Sequence, residues 1–149
     1  MTGGTFRWTS DRTEGRDSAR DFYPNCEGID AHHGRLFFVS KRFRQLYELD
    51  LDSYTYTNTS TIAGLFDGGA DQLQRIMKDG GKTNTYHDVL YFTEEGGKDA
   101  GIHGRNEKGD YFTVLESPVY HDEVTGLAFS PGKFLKGEGW HVTNCKQLL

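Results

Sequence analysis

Two stretches about fifty residues apart constrain this chain more than anything else in it. Gly34-Arg35-Leu36-Phe37-Phe38-Val39-Ser40-Lys41 aligns with His87-Asp88-Val89-Leu90-Tyr91-Phe92-Thr93-Glu94. In each copy a second strand is predicted next, over 45–52 and 101–106, and a third over 54–61 and 110–117. A fourth, shorter element follows, over 71–77 in the first copy and 125–130 in the second. The segment 125–130 also resembles Glu27-Gly28-Ile29-Asp30, which precedes the first copy. Tyr91 lies 54 residues after Phe37, and His141 lies 50 after Tyr91. A unit this short cannot bury both faces of its small sheet and must stack on its neighbours. The pattern predicts an all-β chain of β-propeller blades, each of four antiparallel strands. The alternative is an antiparallel sandwich with coincidental similarity between its strands.

The local chemistry agrees with strands. Leu46-Tyr47-Glu48-Leu49-Asp50-Leu51 alternates apolar and acidic residues, as a strand with one solvated face does. Tyr54-Thr55-Tyr56-Thr57 is aromatic and β-branched, which suits a pleated surface. Nineteen of the 149 residues are glycine, roughly twice the usual share, and the pairs Gly68-Gly69, Gly80-Gly81 and Gly96-Gly97 fall between strands as turns. Helical periodicity is nearly absent. Only Ala70 to Met77 offers a short helix, and its Leu73 and Ile76 fit a strand equally well.

One domain over 1–149 is expected, in units 24–77, 83–130 and a partial 131–149. Three units of about fifty residues fill the chain, whereas a propeller closes with four or more. The expected fold is therefore an incomplete propeller, which self-association could complete.

Charge and composition remove several function classes. Seventeen basic against 22 acidic side chains leave a net charge of −5, with no basic stripe to neutralise phosphates, so no nucleic-acid partner is expected. No apolar run approaches the ~18 residues of a membrane span. Met1-Thr2-Gly3-Gly4 leads into Phe6-Arg7-Trp8 without the basic and apolar regions of a secretory signal. Cys26 and Cys145 are too few for a disulfide framework and fit no zinc spacing, so each is read as a structural thiol, with a bridge or a ligand as the alternatives.

The innermost strands of a propeller line its channel, and those segments carry acids: Glu27 beside Gly28, Asp71 after Gly69-Ala70, and Glu123 ahead of Gly126. Carboxylates converging on one axis repel unless a cation neutralises them, and oxygen donors favour calcium or magnesium. The bland alternative is a set of solvated turn acids. Glu94 and Glu95 end a strand and must face opposite ways; Glu94 is the inward candidate, and a charged hairpin tip is the alternative. Arg105 could hold a phosphate bidentately, and His103 could act as acid, base or ligand. Their plainer readings are a surface ion pair and an edge-strand polar residue. His32 and His33 are read as surface residues. Asp50, Asp52 and Asp67 do not form a twelve-residue calcium loop. No Ser-His-Asp order, phosphate-binding glycine loop or paired-cysteine motif occurs.

Phe6-Arg7-Trp8-Thr9, Phe22-Tyr23-Pro24-Asn25-Cys26-Glu27-Gly28-Ile29 and the run Leu36 to Lys41 resemble the repeating segments of PhoX-type alkaline phosphatase-like β-propellers. So do Leu90-Tyr91-Phe92-Thr93-Glu94-Glu95-Gly96-Gly97 and Thr125-Gly126-Leu127-Ala128-Phe129-Ser130-Pro131. The resemblance runs roughly from Phe6 to Asn144, and similar strings recur in gluconolactonase, regucalcin and strictosidine-synthase propellers. It implies a metal-dependent phosphoesterase acting on small phosphomonoesters, with calcium and also iron held by carboxylates at the channel mouth. It further implies a secreted or periplasmic setting. By position, Glu27 and Glu94 match the family's metal-binding acids, and Arg105 is similar to a phosphate-contacting arginine. The family's cysteine- and tryptophan-rich segment has no counterpart here. Two other functions fit the same residues: a non-catalytic calcium-binding propeller for protein or glycan contacts, and a lactonase-type hydrolase with one divalent ion.

Overall fold

A computed structural model describes residues 2–32, 34–62, 66–76, 89–119 and 122–128. The Gly80-Gly81 turn, His33, His141, Cys145 and the unit 131–149 lie outside the described residues.

The chain is mostly β, in two open antiparallel sheets. The strands are β1 (Thr2–Thr5), β2 (Cys26–His32), β3 (Arg35–Ser40), β4 (Gln45–Asp50), β5 (Thr55–Ser60), β6 (Gly69–Ile76), β7 (Val89–Glu95), β8 (Gly101–Arg105) and β9 (Tyr111–Glu116). The first sheet runs β1-β5-β4-β3-β2 and the second β6-β7-β8-β9. Short polar turns join most sequential neighbours. Asp50 closes the β4–β5 turn, its Oδ1 accepting from the backbone N–H of Asp52 at 3.1 Å and Ser53 at 2.8 Å. That carboxylate replaces the backbone partners the turn has lost.

Two expectations change. The segment from Ala70, read as a short helix or a strand, is strand as far as Ile76, and this strand β6 pairs with β7 rather than completing the first four-strand copy. A helix forms elsewhere, α1 (Arg12–Phe22), where no apolar periodicity signalled one. It has no buried residue and starts at a cap: Asp11 Oδ1 accepts from Thr13 N at 2.8 Å and Glu14 N at 3.1 Å. Glu14 in the first turn and Arg20 in the last complement the helix dipole.

The sheets meet through one edge strand of each, β2 and β6. Contact is backbone to backbone at Gly28, where an added Cβ would come within 2.7 Å of Gln72 Cα and overlap Leu73. Each of these strands carries a register shift, between Glu27 and Ile29 in β2 and between Ala70 and Leu73 in β6. Phe37, Val39 and Leu46 of the first sheet share one core with Ala70, Leu73, Leu90 and Phe92 of the second, and Phe66 plugs it from the connection. Full burial of Val39 and Phe92 contributes about 1.5–3 kcal/mol each. On the other face of the first sheet Phe38 stacks on Tyr47 at 4.9 Å, and Tyr47 Oη donates to Phe22 O at 2.8 Å, tying down the end of α1. That face opens into a cleft of about 1,240 Å³ with Phe6, Trp8, Phe38 and Tyr47 on its walls.

Candidate metal centre

The site lies where β6 begins and β7 ends. At the β6 bulge Gln72 N donates to Thr93 Oγ1 at 3.1 Å, so the irregular backbone keeps a partner. A bulge re-aims the side chains beside it, and here Asp71 is buried at 1% exposure. β7 ends in Glu95 and turns through Gly96 and Gly97 at φ 75° and 87°, conformations glycine adopts without strain. Asp67 Oδ2 accepts from Lys98 N at 2.9 Å and fixes that turn. Glu123 then forms an isolated antiparallel bridge with Glu95, and Val124 N donates to Glu94 O at 3.2 Å. Three segments distant in sequence thereby bring carboxylate oxygens of Asp71, Glu95 and Glu123 within 4.8 Å of one another.

Lys41 is the counter-charge. It follows β3, its backbone N–H donates to Asn25 O at 3.0 Å, and its Nζ lies 3.6 Å from Asp71 Oδ2 while also pairing with Glu95. One ammonium does not balance three carboxylates. The excess registers on Glu123, whose carboxyl is held above its ordinary 4.5 chiefly by a hydrogen bond with Asp71. Desolvation and the charges of Asp71 and Glu27 push the same way, and Lys41 opposes them. Glu27 is thus close enough to act on the cluster although it supplies none of the three converging oxygens.

Of the acids expected to bind metal, Asp71 and Glu123 come together, with Glu27 nearby. Glu94 does not join them. It points into the second sheet's core, where its Oε1 accepts from Gly68 N at 2.7 Å and its Oε2 lies 3.1 Å from His103 Nε2. His103 occupies β8, an interior strand, with no solvent exposure; its Nδ1 lies 3.4 Å from Thr113 Oγ1, and Phe66 packs on its ring at 4.5 Å. Both members of this pair are buried. Arg105 pairs with Leu90 at the other end of the sheet. Glu95 lies five positions after Leu90 along β7, roughly 16 Å at the usual strand rise. Arg105 therefore does not reach the carboxylates.

Sequence reasoning missed Glu95 and Lys41. Counting by twos from the core residues Leu90 and Phe92 leads to Glu94, so Glu95 had to face the other way. Lys41 carried no comparable signal, because its approach to β6 depends on how the sheets stack. Cys26 stands outside the cluster; its Sγ donates to Tyr23 O at 2.9 Å, and burial raises its thiol, with Glu27 adding to the effect. The donor set is all carboxylate oxygen, which fits a hard cation such as calcium. It offers no imidazole or thiolate that would favour a softer metal.

No protein family, curated protein or solved structure matches this chain. No helix among the described residues is long and apolar enough to cross a membrane.

Proposed function

We propose that this chain is a propeller-type module that binds a hard divalent cation, calcium above all, where its innermost strands meet. The blade reading draws support from two sheets built outward in chain order, β2-β3-β4-β5 and β6-β7-β8-β9, with their first strands side by side. The observation that carries the cation reading is the convergence of Asp71, Glu95 and Glu123 around a single lysine. Asp71, Glu95 and Glu123 would hold the ion, Glu27 would add to the local negative potential, and Lys41 would yield part of its role on binding. Calcium bound there would supply charge neutralisation and a fixed point for an oxygen-bearing ligand. Further blades, or second copies of the chain, would cover the aromatic cleft on the outer face of the first sheet.

Between a calcium-binding module and a phosphomonoesterase, the placement of His103 and Arg105 favours the module. Calorimetric titration with calcium tests the proposal. Wild type should bind one ion and Asp71→Asn should lose it; equal binding by both overturns the site. Assay of 4-nitrophenyl phosphate separates the two functions. No turnover is expected, and calcium-dependent turnover abolished by Asp71→Asn would establish the phosphoesterase instead.

A further inference from the structure

We infer, resting on the blade reading, that copies of this chain dock head to tail: the outer face of the second sheet of one copy enters the aromatic cleft on the first sheet of the next. The two sheets correspond residue by residue. In the first, Cys26 pairs with Ser40 and Ile29 with Phe38, which leaves Glu27 and Gly28 opposite Val39. In the second, Ala70 pairs with Glu94 and Leu73 with Phe92, which leaves Asp71 and Gln72 opposite Thr93. The same bulge, two residues against one, thus matches Val39 to Thr93 and Phe38 to Phe92, 54 positions apart rather than the 53 between Gly34 and His87. At that spacing Leu36-Phe37-Phe38-Val39 falls on Leu90-Tyr91-Phe92-Thr93, alike in size and shape at each position.

Matched residues nevertheless face different neighbours. Phe37 and Val39 lie in the core between the sheets, while Leu36 and Phe38 line the cleft outside it. On β7 the order is reversed: Leu90 and Phe92, the counterparts of Leu36 and Phe38, lie in the core. Tyr91 and Thr93, the counterparts of Phe37 and Val39, alternate with them and belong to the outer face. The contact inside the chain therefore joins one kind of face to the other kind. One face of each kind is left over, and the two leftover faces are the same pair that the chain already buries.

Both leftover faces expose apolar side chains. On the second sheet Phe112 pairs with Gly104, itself opposite Tyr91, and Leu115 pairs with Ile102, itself opposite Thr93. Phe112 is 39% and Leu115 56% exposed. On the first sheet Ile29, paired with Phe38, is 65% exposed in the lining of the cleft. Exposed apolar surface gathered on one face marks an interaction site. A contact between two different faces is heterologous, so it adds copies in sequence and does not stop at a symmetric pair.

Sedimentation velocity tests this with wild type, Ile29→Glu in the cleft, Leu115→Glu on the second sheet, and an equimolar mixture of the two variants. Wild type should grow in mass with concentration. Each variant alone should be monomeric, and the mixture should form a dimer and nothing larger, because each variant keeps one intact face. Tyr56→Glu and Phe112→Glu give the same readout should either variant fail to fold. A wild type that stays monomeric, variants that assemble as wild type does, or a mixture that stays monomeric overturns head-to-tail docking. Pairing of Leu115→Glu with itself also overturns it, by joining cleft to cleft. Gly28→Ala, which strikes the contact within the chain, separates failure of docking from failure of the blades. Absent association with Gly28→Ala destabilised overturns docking alone; absent association with its stability unchanged overturns both.

Discussion

Glu94 and Glu95 are adjacent in the chain and have unrelated work. Glu94 accepts from Gly68 N and faces His103 inside the core, while Glu95 stands among the converging carboxylates. Glu94→Ala should destabilise the fold by about 1–3 kcal/mol for each buried group left unpaired, with calcium affinity retained. Glu95→Gln should do the reverse, keeping the melting temperature of the calcium-free chain and weakening the ion. Denaturant melts and calcium titrations of the two variants check this pair of outcomes. Glu27, Asp71 and Glu123 were legible in the sequence as acids close to glycines, and in the structure the charges of Asp71 and Glu27 both act on Glu123. Glu94 faces the core of its own sheet, the side of Leu90 and Phe92, and Glu95 the carboxylate cluster, so the side expected to face a channel is not the core side. The strand's parity favoured Glu95.

Strands were legible wherever apolar alternation was strong, and the antiparallel meanders follow from the polar turns between them. α1 was not legible, because an exposed helix carries no apolar stripe; its only signals were Asp11 at the cap and Glu14 three residues later. The sheet membership of β6 was equally hidden, since pairing with β7 is settled by the partner strand and not by β6 itself. The approach of β2 to β6 depends on Gly28, so Gly28→Ala should destabilise the chain by about 1–3 kcal/mol, the usual effect of forcing atoms into a filled contact. Urea unfolding measures it. At the β4–β5 turn, the backbone N–H of Ser53 and then its hydroxyl hold the Asp50 carboxyl below its ordinary 3.8. A carboxyl depressed in the folded state stabilises above its unfolded value and loses that contribution as pH falls through the lower folded value. Asp50→Asn should therefore flatten part of the acid limb of stability, the loss of melting temperature as pH falls below the ordinary carboxylate range, measured by melting temperature against pH.

Among the described residues, the acidic cluster and the three arginines Arg35, Arg75 and Arg105 sit at opposite ends of the sheets, with Glu48 and Glu107 also at the arginine end. The acids and Lys41 occupy the end where β7 finishes, and the three arginines occupy the end where it starts. Glu27 near the start of β2 and Asp71 near the start of β6 both fall at the acidic end. Three carboxylates against one lysine leave a negative excess at that end, which bound calcium would neutralise. Anomalous diffraction from crystals soaked in a lanthanide that mimics calcium tests it most directly. We expect one strong peak among the carboxylates of Asp71, Glu95 and Glu123, absent in Asp71→Asn crystals. A peak elsewhere, with none between those three side chains, would contradict the cation site.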